Sequence, residues 1–83
     1  MTREEIFAAI TAERGRQAAR WAGPHAWGDG DCSGDGVAPE VKLAVLGEEY
    51  GEVARALLDR KPDGLRAELI QVAAVCTAWL ESL

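Results

Sequence analysis

The chain has 83 residues, 48% of them hydrophobic and 28% charged, an ordinary globular balance that leaves room for a single domain over 1–83. A formal net charge of -5 excludes nonspecific binding to a nucleic-acid polymer, which needs a basic face. No apolar run is long enough to span a bilayer, and the N-terminus opens on the charged Thr2-Arg3-Glu4-Glu5 without a targeting signal. Cys32 and Cys76 do not make a disulfide framework, so a reducing cytoplasm is the expected home.

Thr2 followed three residues later by Glu5 is a capping-box pattern and predicts a helix start. Ile6, Ala9 and Ile10 continue at helical spacing into Glu13, Gln17 and Trp21, and Gly23-Pro24 ends the pattern. Residues 23–38 form a glycine-rich, acidic loop with no periodicity, expected to be a mobile lid or an interface loop. Pro39 opens a second helix running to about Arg60. Lys61-Pro62-Asp63-Gly64 breaks it, and Asp63 is expected to cap a third helix that continues to about Ser82. Nothing reads as a strand. The fold class is therefore all-α: three helices, the last two an antiparallel hairpin joined by a short break. So small a chain buries a modest core, so oligomerisation is expected to complete a helical bundle.

The informative anomaly is acid where leucine belongs. In the second helix Glu49 sits at the centre of the stripe Val45, Leu46, Val53, Ala56 and Leu57, with Glu52 one turn on at its edge. In the third, Glu68 falls inside the stripe Leu65, Leu69, Val72, Val75, Cys76 and Trp79, with Gln71 at i+3. Side chains at i and i+3 share a helix face, and closing the hairpin brings both pairs to one level. Unpaired inward carboxylates are costly, and like charges about 4 Å apart repel by roughly 4 kcal/mol at an effective dielectric of 20. A hard cation such as Mg²⁺, which prefers oxygen ligands, relieves that repulsion. The competing reading turns these acids to solvent, leaving a structural helical dimerisation module.

These residues resemble a known family. Glu48-Glu49-Tyr50-Gly51-Glu52 followed by Glu68-Leu69-Ile70-Gln71 is similar to the EExxE…ExxD pattern of the MazG-like nucleotide pyrophosphohydrolases, members of the all-α nucleoside triphosphate pyrophosphohydrolase superfamily. Glu13-Arg14-Gly15-Arg16-Gln17 with Trp21, the segment Lys42 to Leu46, and Val72-Ala73-Ala74-Val75-Cys76 resemble small phage-type forms, so the likeness covers the chain outside the loop. The resemblance implies Mg²⁺-dependent hydrolysis of a nucleoside triphosphate to monophosphate and pyrophosphate, with Mn²⁺ as a possible substitute, in a homodimer or homotetramer. It implies that Glu49, Glu52, Glu68 and Gln71 hold the metal. Glu48 would position or deprotonate the attacking water, or bind a further ion. Gln71 departs from the pattern, which has aspartate there. An amide oxygen can still ligate but brings no charge, so a relative that binds nucleotide or metal without turnover is the alternative.

Three further residues are candidates for substrate. Lys42 shares a helix face with Glu49 and is expected to hold the phosphate chain, whereas Gln17 and Trp21 are candidates to contact base or sugar. His25 reads as an exposed loop residue. Asp29-Gly-Asp31-Cys-Ser33-Gly-Asp35 through Glu40 comes near a calcium-loop pattern, but Gly23, Pro24 and Gly28 remove the helix that must precede it.

Overall fold

A computed structural model describes residues Met1–Leu83 as α1 (Arg3–Arg20), β1 (Pro24–His25), β2 (Gly28–Asp29), α2 (Pro39–Leu58) and α3 (Pro62–Glu81). Most of the chain is helical, as its periodicity predicts. The Thr2 hydroxyl accepts from the Glu5 amide at 3.1 Å while the Glu5 carboxylate accepts from the Thr2 amide at 3.0 Å, closing the reciprocal cap of α1. Pro39 and Pro62 each stand in the first turn of their helix, where the missing N–H is no loss.

Three expectations are corrected. Asp63 lies inside the first turn of α3 and does not cap it; Lys61 is the capping residue and makes no side-chain cap bond. The second helix ends at Leu58, because Arg60 turns left-handed at φ 53. The Arg60 amide then donates to Leu57 O at 3.1 Å and the Lys61 amide to Ala56 O at 3.2 Å, a Schellman ending built on arginine instead of glycine.

The third correction concerns the loop, which contains a short antiparallel pair, Pro24 opposite Asp29 and His25 opposite Gly28. Gly28, at φ 147, lies so close to Gly36 O that a side chain there has no room. Such a pair has no hydrophobic alternation to announce it, since glycine backbone freedom creates it. The loop is also pinned: Val37 is buried, and Arg14 of α1 meets the Asp31 carboxylate at 2.9 Å.

α3 lies between the other two helices and packs against both, while the backbones of α1 and α2 stay apart. The buried hydrophobic residues are Val37, Ala56, Ala74, Val75 and Ala78, all small. A core of this size leaves large apolar side chains outside it. Leu43, Tyr50 and Leu57 on α2 are 60%, 72% and 58% exposed, so Leu57 stands outside the inward stripe in which its spacing placed it. No helix is long and apolar enough to cross a membrane.

Candidate metal and nucleotide site

Because α1 and α2 flank α3 with their backbones apart, a cleft of about 620 Å³ remains between them. Val75 and Gln71 of α3 form its floor, and the 24–37 loop closes one end. Glu48, Glu49 and Glu52 reach it from α2, and Gln17 and Trp21 from α1.

Glu49, Glu52 and Glu68 each offer an oxygen, and these oxygens lie within 4.8 Å of one another. The hairpin produces this convergence: an antiparallel partner sets Glu68 opposite the turn of α2 that carries Glu49 and Glu52. Glu49 Oε2 and Glu68 Oε2 are buried and meet no hydrogen-bond partner. Burial first, then the charges of Glu52 and Glu68, push the Glu49 carboxyl up to about 7. Glu68 is also raised, by burial first and then by the neighbouring Glu52 and Glu13 carboxylates.

Orphaned buried carboxylate oxygens held in a group fit a hard divalent cation. The donor set is all oxygen, which suits Mg²⁺ or Mn²⁺ and not a thiolate-seeking metal. Gln71 lines the same cleft and can add an amide oxygen from one turn further along α3.

Lys42 does not join them. It is 4% exposed, and its Nζ donates to Ser82 Oγ at 2.8 Å, at the C-terminus of α3. It does share the inward face with Glu49, but seven residues at 1.5 Å each put it about 10 Å along the helix. There the partial negative charge of the α3 C-terminus attracts the ammonium. Arg14 clasps the same end, its Nε 3.2 Å from the Glu81 carboxylate.

Sequence reasoning linked no chemistry to Glu13, Arg16, His25 or Trp27, all of which line the cleft. Glu13 carries the signal that could have found it: an acid within an inward helical stripe. Its side chain is 11% exposed, and Arg16 donates to its Oε2 at 2.7 Å. His25 and Trp27 lie on the hairpin of the loop, where no periodicity exists to place them.

Other candidates are committed elsewhere. Asp31, within the calcium-loop pattern, accepts the Ser33 amide at 2.9 Å and pairs with Arg14. Burial alone would raise its carboxyl; the Ser33 hydrogen bonds and the Arg14 guanidinium outweigh that and hold it below its ordinary value. Burial and the Asp31 charge push the Cys32 thiol up, away from a reactive thiolate.

Comparison with protein-family models, with curated proteins and with solved structures finds no match for this chain.

Proposed function

We propose that this protein hydrolyses a nucleoside triphosphate to the monophosphate and pyrophosphate, with Mg²⁺, or Mn²⁺ in its place, held by Glu49, Glu52, Glu68 and the Gln71 amide oxygen. The observation that carries the reading is the pair of buried, partnerless oxygens on Glu49 and Glu68 beside an open cleft. The resemblance of Glu48-Glu49-Tyr50-Gly51-Glu52 and Glu68-Leu69-Ile70-Gln71 to the MazG-like pyrophosphohydrolases supports it.

A divalent cation bound there supplies charge neutralisation to the phosphate chain and acidifies an attacking water. The chain's own residues do the rest. Glu48 is exposed on the cleft wall one residue before Glu49, and it accepts the proton that the water loses. The water oxygen bonds to the α-phosphorus, and the bond from that phosphorus to the α,β-bridging oxygen breaks. The electron pair leaves with pyrophosphate. Glu49, Glu52 and Glu68 fix where the charge of the phosphate chain is met. Arg16 and Arg20, on the opposite wall, replace Lys42 as the cations that face the anionic substrate.

The same reading includes assembly with further copies of the chain. Leu43, Gly47, Tyr50, Ala54 and Leu57 are all exposed and fall at alternating spacings of four and three, the seam of a left-handed helix pair. At 100° per residue they lie on the side of α2 turned away from the cleft. A second copy docked along this seam buries leucine and tyrosine without covering the carboxylates.

The test is to incubate the protein with Mg²⁺ and each canonical or modified triphosphate and to measure pyrophosphate, with Glu49→Gln as control. Turnover that Glu49→Gln abolishes, with helical content intact, supports the reading. Absence of turnover for every triphosphate defeats it. A second reading, nucleotide or metal binding without catalysis, is favoured by Gln71. It predicts measurable nucleotide binding, no turnover, and no change on Gln71→Asp.

A further inference from the structure

Residues 24–37 close one end of the cleft, yet their polar groups are spent mainly on one another. The Asp29 amide donates to Gly36 O at 2.9 Å, and the Gly30 amide donates to Gly23 O, at the root of the loop, at 3.0 Å. His25 Nε2–H donates to Gly30 O at 2.7 Å, which leaves Nδ1 to accept the Trp27 amide at 3.2 Å. The Asp31 carboxylate folds back in the same way and accepts the Ser33 amide at 2.9 Å. No backbone hydrogen bond runs from residues 24–37 to a helix. The loop is a self-bonded unit laid against the body.

What holds the unit down is mostly apolar. Val37 is buried, and the His25 and Trp27 rings lie beside Trp21 of α1, with centres 5.3 and 6.3 Å away. The polar contact is the ion pair of Arg14 Nη1 with Asp31 Oδ2 at 2.9 Å, whose side chains are 12% and 9% exposed. That pair is close but misaligned: Asp31 Oδ2 is buried and receives no hydrogen bond. Its desolvation is therefore offset by charge alone, without a directed bond.

Separating the pair strands neither partner. Arg14 stays in place through Nε to Glu81 Oε1 at 3.2 Å and Nη1 to Gln17 Oε1 at 3.1 Å. Asp31 keeps both its Ser33 bonds, and its freed Oδ2 meets water. Gly23, at φ 76 with open space where a side chain would stand, supplies a hinge at the root of the unit.

We propose that residues 24–37 form a hinged gate on the cleft, moving as one hydrogen-bonded unit and locked shut by Arg14 and Asp31. Val37 is the seated pivot. Arg14 is a positioning residue that acts only through Asp31. The gate deepens the hydrolase reading and rests on it only for what passes, a triphosphate with its cation.

The gate is tested on the full chain in EDTA, without nucleotide, by alkylation with N-ethylmaleimide resolved by mass spectrometry. Cys32 is the reporter, since it adjoins Asp31, lines the cleft and is half-buried. Cys76 on α3 is the internal reference. Asp31→Asn and Arg14→Met are both expected to speed Cys32 alkylation about tenfold, with Cys76 unchanged. Thiol acidity alone predicts opposite signs: beyond burial, the Asp31 charge raises the Cys32 thiol pKa and the Arg14 charge lowers it. Hydrogen exchange at the Asp29 and Gly30 amides should stay slow in both variants, because the unit opens whole. Unchanged or opposite-signed Cys32 rates, fast exchange at those two amides, or acceleration of Cys76 along with Cys32 in Asp31→Asn overturns the gate. Turnover plays no part in this readout, so a failure to hydrolyse any triphosphate sinks the hydrolase reading alone.

Discussion

Glu49 of α2 and Glu68 of α3 each turn Oε2 into the protein, where neither finds a hydrogen-bond partner. Their pairing across the hairpin sets the electrostatics of the metal-free protein. The Glu49 carboxyl titrates near pH 7, well above the 4.5 of an ordinary glutamate. Between those values the folded state binds more protons than the unfolded state, so stability falls as pH rises through that window. Solvent at the cleft screens the effect to on the order of 1–2 kcal/mol, or several degrees in Tm for a domain of this size. Thermal melts in EDTA should show a higher Tm at pH 5.5 than at pH 7.5. Glu49→Gln, which removes the titrating group, should flatten much of that slope and raise Tm at pH 7.5.

Lys42 is expected to be a structural residue. Its ammonium is committed to Ser82 Oγ at the end of α3, about two helical turns from the carboxylates. Lys42→Met should therefore change KM for any triphosphate by less than about twofold, whereas Arg20→Ala, on the cleft wall, should raise it more. Steady-state kinetics on the two variants decide between these positions.

How far the chain could be read in advance follows from which forces its pattern encodes. Helical period and local caps are written in nearest neighbours, so Thr2 with Glu5 and the prolines Pro39 and Pro62 were legible. The approach of Glu49, Glu52 and Glu68 was legible too, because hairpin geometry fixes register once the break is located. Lys42 was not, since a helical face says nothing about depth along the axis. The Trp21–His25–Trp27 wall was hidden because glycine conformations shape it and leave no period. Arg14 was equally hidden: its partners Asp31 and Glu81 are remote in sequence.

Arg60 holds φ 53 without the freedom of glycine. Arg60→Gly keeps both hydrogen bonds of the Schellman ending and removes the left-handed penalty, at the cost of a more flexible unfolded chain. A net gain of about 0.5–1 kcal/mol is expected, measured as a rise in the urea midpoint with unchanged slope.

The seam Leu43, Gly47, Tyr50, Ala54 and Leu57 predicts self-association with its own signature. Leu57→Arg places a charge in the proposed contact, on a side chain that is already 58% exposed in the single chain. Analytical ultracentrifugation should show the wild type larger than one chain of 8.9 kDa and the variant shifted to that mass with its helices retained. A wild type that sediments as one chain at all concentrations contradicts the seam.

The most direct test is cation binding itself, followed by electron paramagnetic resonance as Mn²⁺ is titrated into the metal-free protein. The free-ion signal should be suppressed until at least one Mn²⁺ per chain is bound, restored by excess Mg²⁺, and unsuppressed in Glu49→Gln and Glu68→Gln. If Mn²⁺ stays free at millimolar concentration, or binds the two variants as tightly as the wild type, Glu49, Glu52 and Glu68 do not form a metal site.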